Sequence, residues 1–162
     1  IAFNNAGFQE EHPMAELTEE LVLRTFETNI FAPIWLVQAA VPHMPPGSSI
    51  INTGSITGLE GREKLGDYAA TKGALHTLTH SLAQALAPAG IRVNCVAPGP
   101  VWTPLIPSTL EKKHVAEFGA HTYWKRPAQP IEIATSYVFI ASADARFYTG
   151  EIFAPTGSTP TR

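Results

Sequence analysis

The sequence has one cysteine, few charges and no long apolar run, and each scarcity excludes something. A lone thiol, Cys95, cannot form an internal disulfide and suits a reducing compartment, so a cytoplasmic protein is expected. Charged residues make up 15% of the chain, the net charge is −3, and no Lys/Arg run occurs. That argues against nucleic acid or a membrane surface as partner. No apolar stretch reaches the roughly 18–20 residues of a membrane-crossing helix. The opening residues, "IAFNNAG", carry neither an initiator Met nor a basic n-region, and read as a strand in mid-domain rather than a signal peptide. His76 and His80 lie four apart on a helical segment, but no Asp, Glu or Cys stands near them at ligand spacing, so no metal site is expected.

What is present is a globular pattern. With 162 residues and 44% hydrophobic content, the chain can form one domain with a real core. "IAF" (1–3) is a short apolar run ending in a polar turn. Thr18 before Glu19 and Glu20 suits an N-cap with an acidic first turn, and the helix runs to about Val41, before Pro42. "SSIINTGS" (48–55) reads as a strand, 67–87 as a helix closed by Pro88 and Gly90, and "IRVNCVAPG" (91–99) as a strand. Residues 100–129 are proline-rich and read as a long loop with one short helix near 109–118. A helix opening at Pro130 and a last strand in "GEIFAPTG" (150–157) follow. Strands alternating with helices predict an α/β fold: a Rossmann-like parallel sheet of about four strands with helices on both faces.

In such a sheet, ligands bind beyond the carboxyl ends of the strands, which draws attention to Asn4–Gly7, Thr53–Ser55 and Pro98–Val101. Tyr68 and Lys72, four apart, share a helix face. An ammonium beside a phenol favours the phenolate and would lower its pKa, which prepares a tyrosine for general acid–base work. Ser55, at the preceding strand end, can point into the same crevice. Asn29 lies on the apolar stripe formed by Val22, Phe26, Pro33 and Val37. A buried amide there must find partners, either nearby backbone or an ordered water near the lysine.

These pieces together resemble the short-chain dehydrogenase/reductase family. The matching segments are "NNAG" (4–7), "TNIFA" (28–32), "INTGS" (51–55), "YAATK" (68–72), "GIRVNCVAPGPVWT" (90–103) and "FYTGEIFAPTG" (147–157), in the family's order and spacing. The resemblance implies a sheet that binds NAD or NADP and a hydride exchanged between nicotinamide and a small-molecule carbonyl or alcohol. It implies that Tyr68 gives or takes the proton at the substrate oxygen. Lys72 then lowers the Tyr68 pKa and holds the nicotinamide ribose. Ser55 hydrogen-bonds the substrate oxygen, and Asn29 positions a water leading to Lys72. Asn5, Ala6 and Gly7 would line the cofactor beside the ribose, and Pro98, Gly99, Val101 and Thr103 would cradle the nicotinamide amide. "KRPAQPIEIA" (125–134) resembles bacterial aldehyde, sugar or 3-oxoacyl reductases, and Ser158 stands where many members carry a second glycine.

The departure is at the front. The resemblance implies an N-terminal glycine-rich cofactor half, on the order of 80 residues, that is missing here. Residues 1–162 therefore read as one truncated Rossmann-like domain with 100–129 as its substrate-loop region. "TGSITGLEG" (53–61) imitates the phosphate turn poorly, because Ser55 occupies it and the following helix begins only near Asp67. NAD(P) binding is expected to be weak. Two other readings stay open: a cofactor-independent hydrolase or lyase using Ser55, Tyr68 and Lys72, and an inactive fragment that associates with other chains. Against the hydrolase, no G-x-S-x-G elbow surrounds Ser55. The bare edge of the strand at residues 1–5, with the helices of 18–41 and 67–87, leads to the expectation of a homo-oligomer.

Overall fold

The computed structural model describes residues 1–157, so Ser158 lies outside the described residues. Four strands, β1 (Ala2–Asn4), β2 (Ser49–Thr53), β3 (Arg92–Val96) and β4 (Ile152–Phe153), form one parallel sheet in the order β1-β2-β3-β4. The register pairs Phe3 with Ile51, Ile51 with Asn94, and Val96 with Phe153.

Period-two alternation divides each strand between two cores. On one face Ile50 and Val93 pack with Val37, Ala83 and Ile91 beneath α2 (Ala32–Ala40) and α4 (Gly66–Leu86); α1 (Glu19–Phe26) packs against α4, and α3 (Thr57–Glu60) precedes α4 in the chain. On the other face Ile51 and Val96 pack with Ile133 and Ile140 of α7 (Pro130–Ala141). The proline-rich segment before it forms two short helices, α5 (Leu105–Thr109) and α6 (Lys112–Ala116), where the sequence pattern suggested one. Inside the first face, a polar thread replaces apolar packing. Asn4 donates to Asn52 at 2.8 Å, and Asn52 donates to Thr79 at 2.8 Å, tying the ends of β1 and β2 to α4.

The helix boundaries follow from local chemistry. Thr18 Oγ1 accepts the Leu21 N–H at 3.2 Å, as expected of the N-cap. Gln129 and Glu132 form a capping box around Pro130, and Arg126 holds the Glu132 carboxylate through two 2.7 Å bonds. The helix over 18–41 is continuous but not uniform. Between α1 and α2, Glu27–Phe31 forms a π turn in which the Ala32 N–H bonds the Glu27 carbonyl. Pro33 has no N–H to offer the Asn29 carbonyl four residues back, which favours this widening.

At the free edge of the sheet, Ile1 and Phe3 are 71% and 51% exposed. No described helix is long and apolar enough to cross a membrane.

Candidate active site

A cleft of about 1480 Å3 opens beyond the carboxyl ends of β1, β2 and β3. Asn5, Ala6 and Gly7 line it after β1, Ser55 after β2, Tyr68 and Lys72 from the start of α4, and Pro98, Gly99, Val101 and Thr103 after β3. Of the site residues predicted from sequence, only Asn29 is absent from the lining.

Lys72 is buried, and its Nζ donates to the Thr53 carbonyl at 2.7 Å, 5.5 Å from the centre of the Tyr68 ring. Burial pulls its pKa down to about 8, with the neighbouring Cys95 acting in the opposite direction. The Tyr68 phenol departs from the expectation of a lowered pKa. Burial raises it above its ordinary value, and the hydrogen bond from Ser55 only partly offsets that. The ammonium is committed to a backbone carbonyl, so desolvation governs the phenol. Ser55 Oγ accepts from the Thr57 N–H at 3.2 Å and the Thr57 hydroxyl at 2.9 Å, so its one proton faces Tyr68 and can turn to a substrate oxygen that enters the cleft.

Asn29 is 1% exposed, and both amide protons and one oxygen lone pair have partners. It accepts from the Phe8 N–H at 2.8 Å and donates to the Phe8 carbonyl at 2.9 Å and to Thr71 Oγ1 at 3.0 Å. The side chain thus clamps the loop that follows β1 onto α4, the bonding to nearby backbone that a buried amide requires.

Two glycines are fixed by close approach. A Cβ at Gly54 would collide with His76 Nε2 and lie 2.7 Å from Cys95 Sγ, and one at Gly99 would lie 2.6 Å from the Thr156 carbonyl oxygen. His76 is buried behind Gly54, and burial, then the charges of Lys72 and His80, push its pKa down to about 4. Neither ring nitrogen has a partner among the described residues. The "TGSITGLEG" stretch holds α3, a four-residue helix that the sequence reading passed over before α4.

Two residues went unassigned in the sequence. In the sequence Thr53 is only part of a strand-end turn, and Tyr137 of α7 stands in no motif. Yet Thr53 Oγ1 reaches both Asn5 Oδ1, at 3.1 Å, and Tyr137 OH, at 2.8 Å. The only sequence signal for Tyr137 is a hydroxyl-bearing ring inside the apolar run "YVFIA".

Residues 1–157 match the family described as enoyl-(acyl carrier protein) reductase. The chain is 49% identical over 160 residues to the oxidoreductase YhxC of Bacillus subtilis, covering 98% of this chain and 56% of that protein. It is 49% identical over 158 residues to a glucose and ribitol dehydrogenase of Daucus carota, covering 97% of this chain and 54% of that protein. The chain therefore spans about half the length of the curated relatives it matches. Among solved structures, the angucycline C-6 ketoreductase LanV with bound NADP superposes with a TM-score of 0.90 at 30% identity, over 97% of this chain and 61% of that one. A short-chain glucose/ribitol dehydrogenase from Brucella melitensis gives a TM-score of 0.89 at 34% identity, over 96% of this chain and 62% of that one. Sheet order, strand-end cleft, Tyr–Lys pair and these likenesses agree: the chain belongs to the short-chain dehydrogenase/reductase family.

Proposed function

We propose that the chain carries the catalytic half of a cytoplasmic NAD(P)-dependent oxidoreductase that reduces a small carbonyl or oxidises the corresponding alcohol. The observation that carries this reading is the convergence of Ser55, Tyr68 and Lys72, from β2's end and α4, on one cleft. The residues fit the nicotinamide–ribose part of the cofactor. Asn5, Ala6 and Gly7 are exposed in the cleft, Gly99 lines it with its backbone packed against that of Thr156, and the Lys72 ammonium lies 3.7 Å from where a Cβ at Gly7 would sit. When bound, the nicotinamide supplies or accepts the hydride at the substrate carbon.

The chain's own residues handle the proton. The Ser55 hydroxyl donates to the substrate oxygen and orients it. Tyr68 gives its phenolic proton to that oxygen in reduction and takes it back in oxidation. Lys72, protonated below about pH 8, supplies the nearby positive charge that eases loss of that proton. Asn29 acts through the Phe8 loop and Thr71, keeping the Asn5–Gly7 wall against α4. The names of the relatives, glucose and ribitol dehydrogenases and an NADPH-dependent aldehyde reductase of Arabidopsis thaliana, make polyols and aldehydes the substrates to try first. Acyl transfer through Ser55 has no support: its oxygen is hydrogen-bonded by Thr57, and the raised phenol is a poor base at neutral pH.

The sequence holds no glycine-rich turn leading from a strand directly into a long helix, so pyrophosphate anchoring is weak. Calorimetric titration of this chain with NADH and NADPH is expected to give dissociation constants above about 1 μM. Sub-micromolar binding of either would mean that "TGSITGLEG" or another segment grips the phosphates.

We also propose that the chain self-associates. Trp35 and Leu36 on α2 are more than half exposed, an adjacent apolar pair on one helix that suits packing against a second copy. Sedimentation at micromolar concentration is expected to give a species heavier than 17.5 kDa. A sharp, soluble monomer would refute the proposal.

A further inference from the structure

Thr53 is the joint of the site. Its carbonyl accepts the Lys72 ammonium at 2.7 Å, and its hydroxyl lies 3.1 Å from Asn5 Oδ1 and 2.8 Å from Tyr137 OH. A hydroxyl has one proton to give. Asn5 Oδ1 can only accept, so the Thr53 proton points to Asn5, and the Tyr137 phenol must then be the donor to Thr53. The three groups form a directed chain from α7 through β2 to the loop after β1. Tyr137 is suited to anchor it. It is half-buried, its ring lies 6.1 Å from that of Phe3, and burial pushes its pKa up to about 12, so it stays a donor across the physiological range.

We infer that Tyr137 is a positioning residue of the cofactor pocket, which orders Asn5 through Thr53 and fixes the residue that anchors Lys72. This role rests on the reading of Asn5–Gly7 as the cofactor wall. Thr53 and Tyr137 line the same cleft as Asn5, and no other described bond restrains the Asn5 side chain. Without the phenolic donor, the Thr53 hydroxyl is released to rotate and Asn5 loses its fixed partner.

The test compares Tyr137→Phe, Thr53→Val and the double variant. The first keeps the ring and its packing, and the second keeps the shape and the carbonyl that holds Lys72. Each single change is expected to weaken NADPH binding about five- to tenfold, the range of one or two lost hydrogen bonds. The double variant should be no weaker than Thr53→Val alone, because the chain runs through Thr53. Hydrogen exchange at residues 5–8, read without any ligand, should speed up in both single variants. Additive losses in the double variant would overturn the inference, as would unchanged binding and exchange in Tyr137→Phe. Were the wild-type chain to bind neither dinucleotide, the proposed function would fall while exchange at residues 5–8 still decided the Tyr137 role.

Discussion

Tyr68→Phe is expected to lower carbonyl reduction at least about 100-fold, the typical cost of losing a general acid, with the fold unchanged. The phenol serves chemistry rather than packing. Its hydroxyl has the Ser55 side chain as its hydrogen-bonding neighbour, while the ring, retained in phenylalanine, does the filling. The pH profile follows from the two shifted groups. Burial keeps Tyr68 protonated well beyond neutrality, so the acid needed for reduction is present throughout. Lys72, with its pKa lowered to about 8, keeps its charge below that pH and loses it above. Reduction should therefore hold through neutral pH and decline as pH rises past about 8, as the cation that eases proton release disappears. Oxidation needs the phenol deprotonated and should favour higher pH, up to the point where loss of the Lys72 charge offsets the gain. The measurement is steady-state turnover of an aldehyde across pH by wild type and variant. A phenylalanine variant with near-wild-type turnover would remove Tyr68 from the mechanism.

What the sequence made legible was whatever rests on local chemistry. Thr18 and Pro130 mark their helix starts by capping, which involves only near neighbours. Tyr68 and Lys72 meet because four residues are one helical turn. Ser55 and the wall residues fell at strand ends, where the α/β layout puts ligands. What escaped depends on contacts distant in sequence or on equal periodicities. The apolar spacing through Val22, Phe26, Asn29, Pro33 and Val37 fits an unbroken α-helix, so only the missing N–H of Pro33 hints at the π turn of Glu27–Phe31. Tyr137 meets Thr53 across 84 residues, and Gln9 meets Thr109 across 100, so no window reveals them. The direction of the Tyr68 shift was missed for a related reason. The Tyr–Lys spacing is local, but the commitment of Lys72 to the Thr53 carbonyl and the burial of both groups come from the assembled sheet.

Asn29→Ala is expected to destabilise the chain by roughly 2–4 kcal/mol and to weaken cofactor binding with it. The estimate comes from what the amide leaves behind. The Phe8 N–H and C=O both lose their side-chain partner, and Thr71 Oγ1 loses a donor. Thr71 gives its own proton to the Tyr68 carbonyl at 2.7 Å, so it has an acceptor site to fill, and among the described residues Asn29 supplies that donor. Phe8 keeps one other restraint, the Arg24 guanidinium 4.1 Å above its ring, which holds the ring but not the backbone. The loop that frays is Asn5–Phe8, the cofactor wall itself. Asn29→Asp separates the two roles of the amide. A carboxylate can still accept the Phe8 N–H, but it faces the Phe8 carbonyl and the Thr71 oxygen with no proton to offer. The fold therefore favours its protonated form and raises its pKa above the unfolded value of about 3.9. By linkage, the deficit of Asn29→Asp relative to wild type is fully present at neutral pH and shrinks as pH falls through that raised pKa toward about 4. Urea denaturation at neutral and mildly acidic pH measures both effects. The amide has the proposed clamp role only if the alanine variant's midpoint falls and the aspartate variant recovers as acid is added.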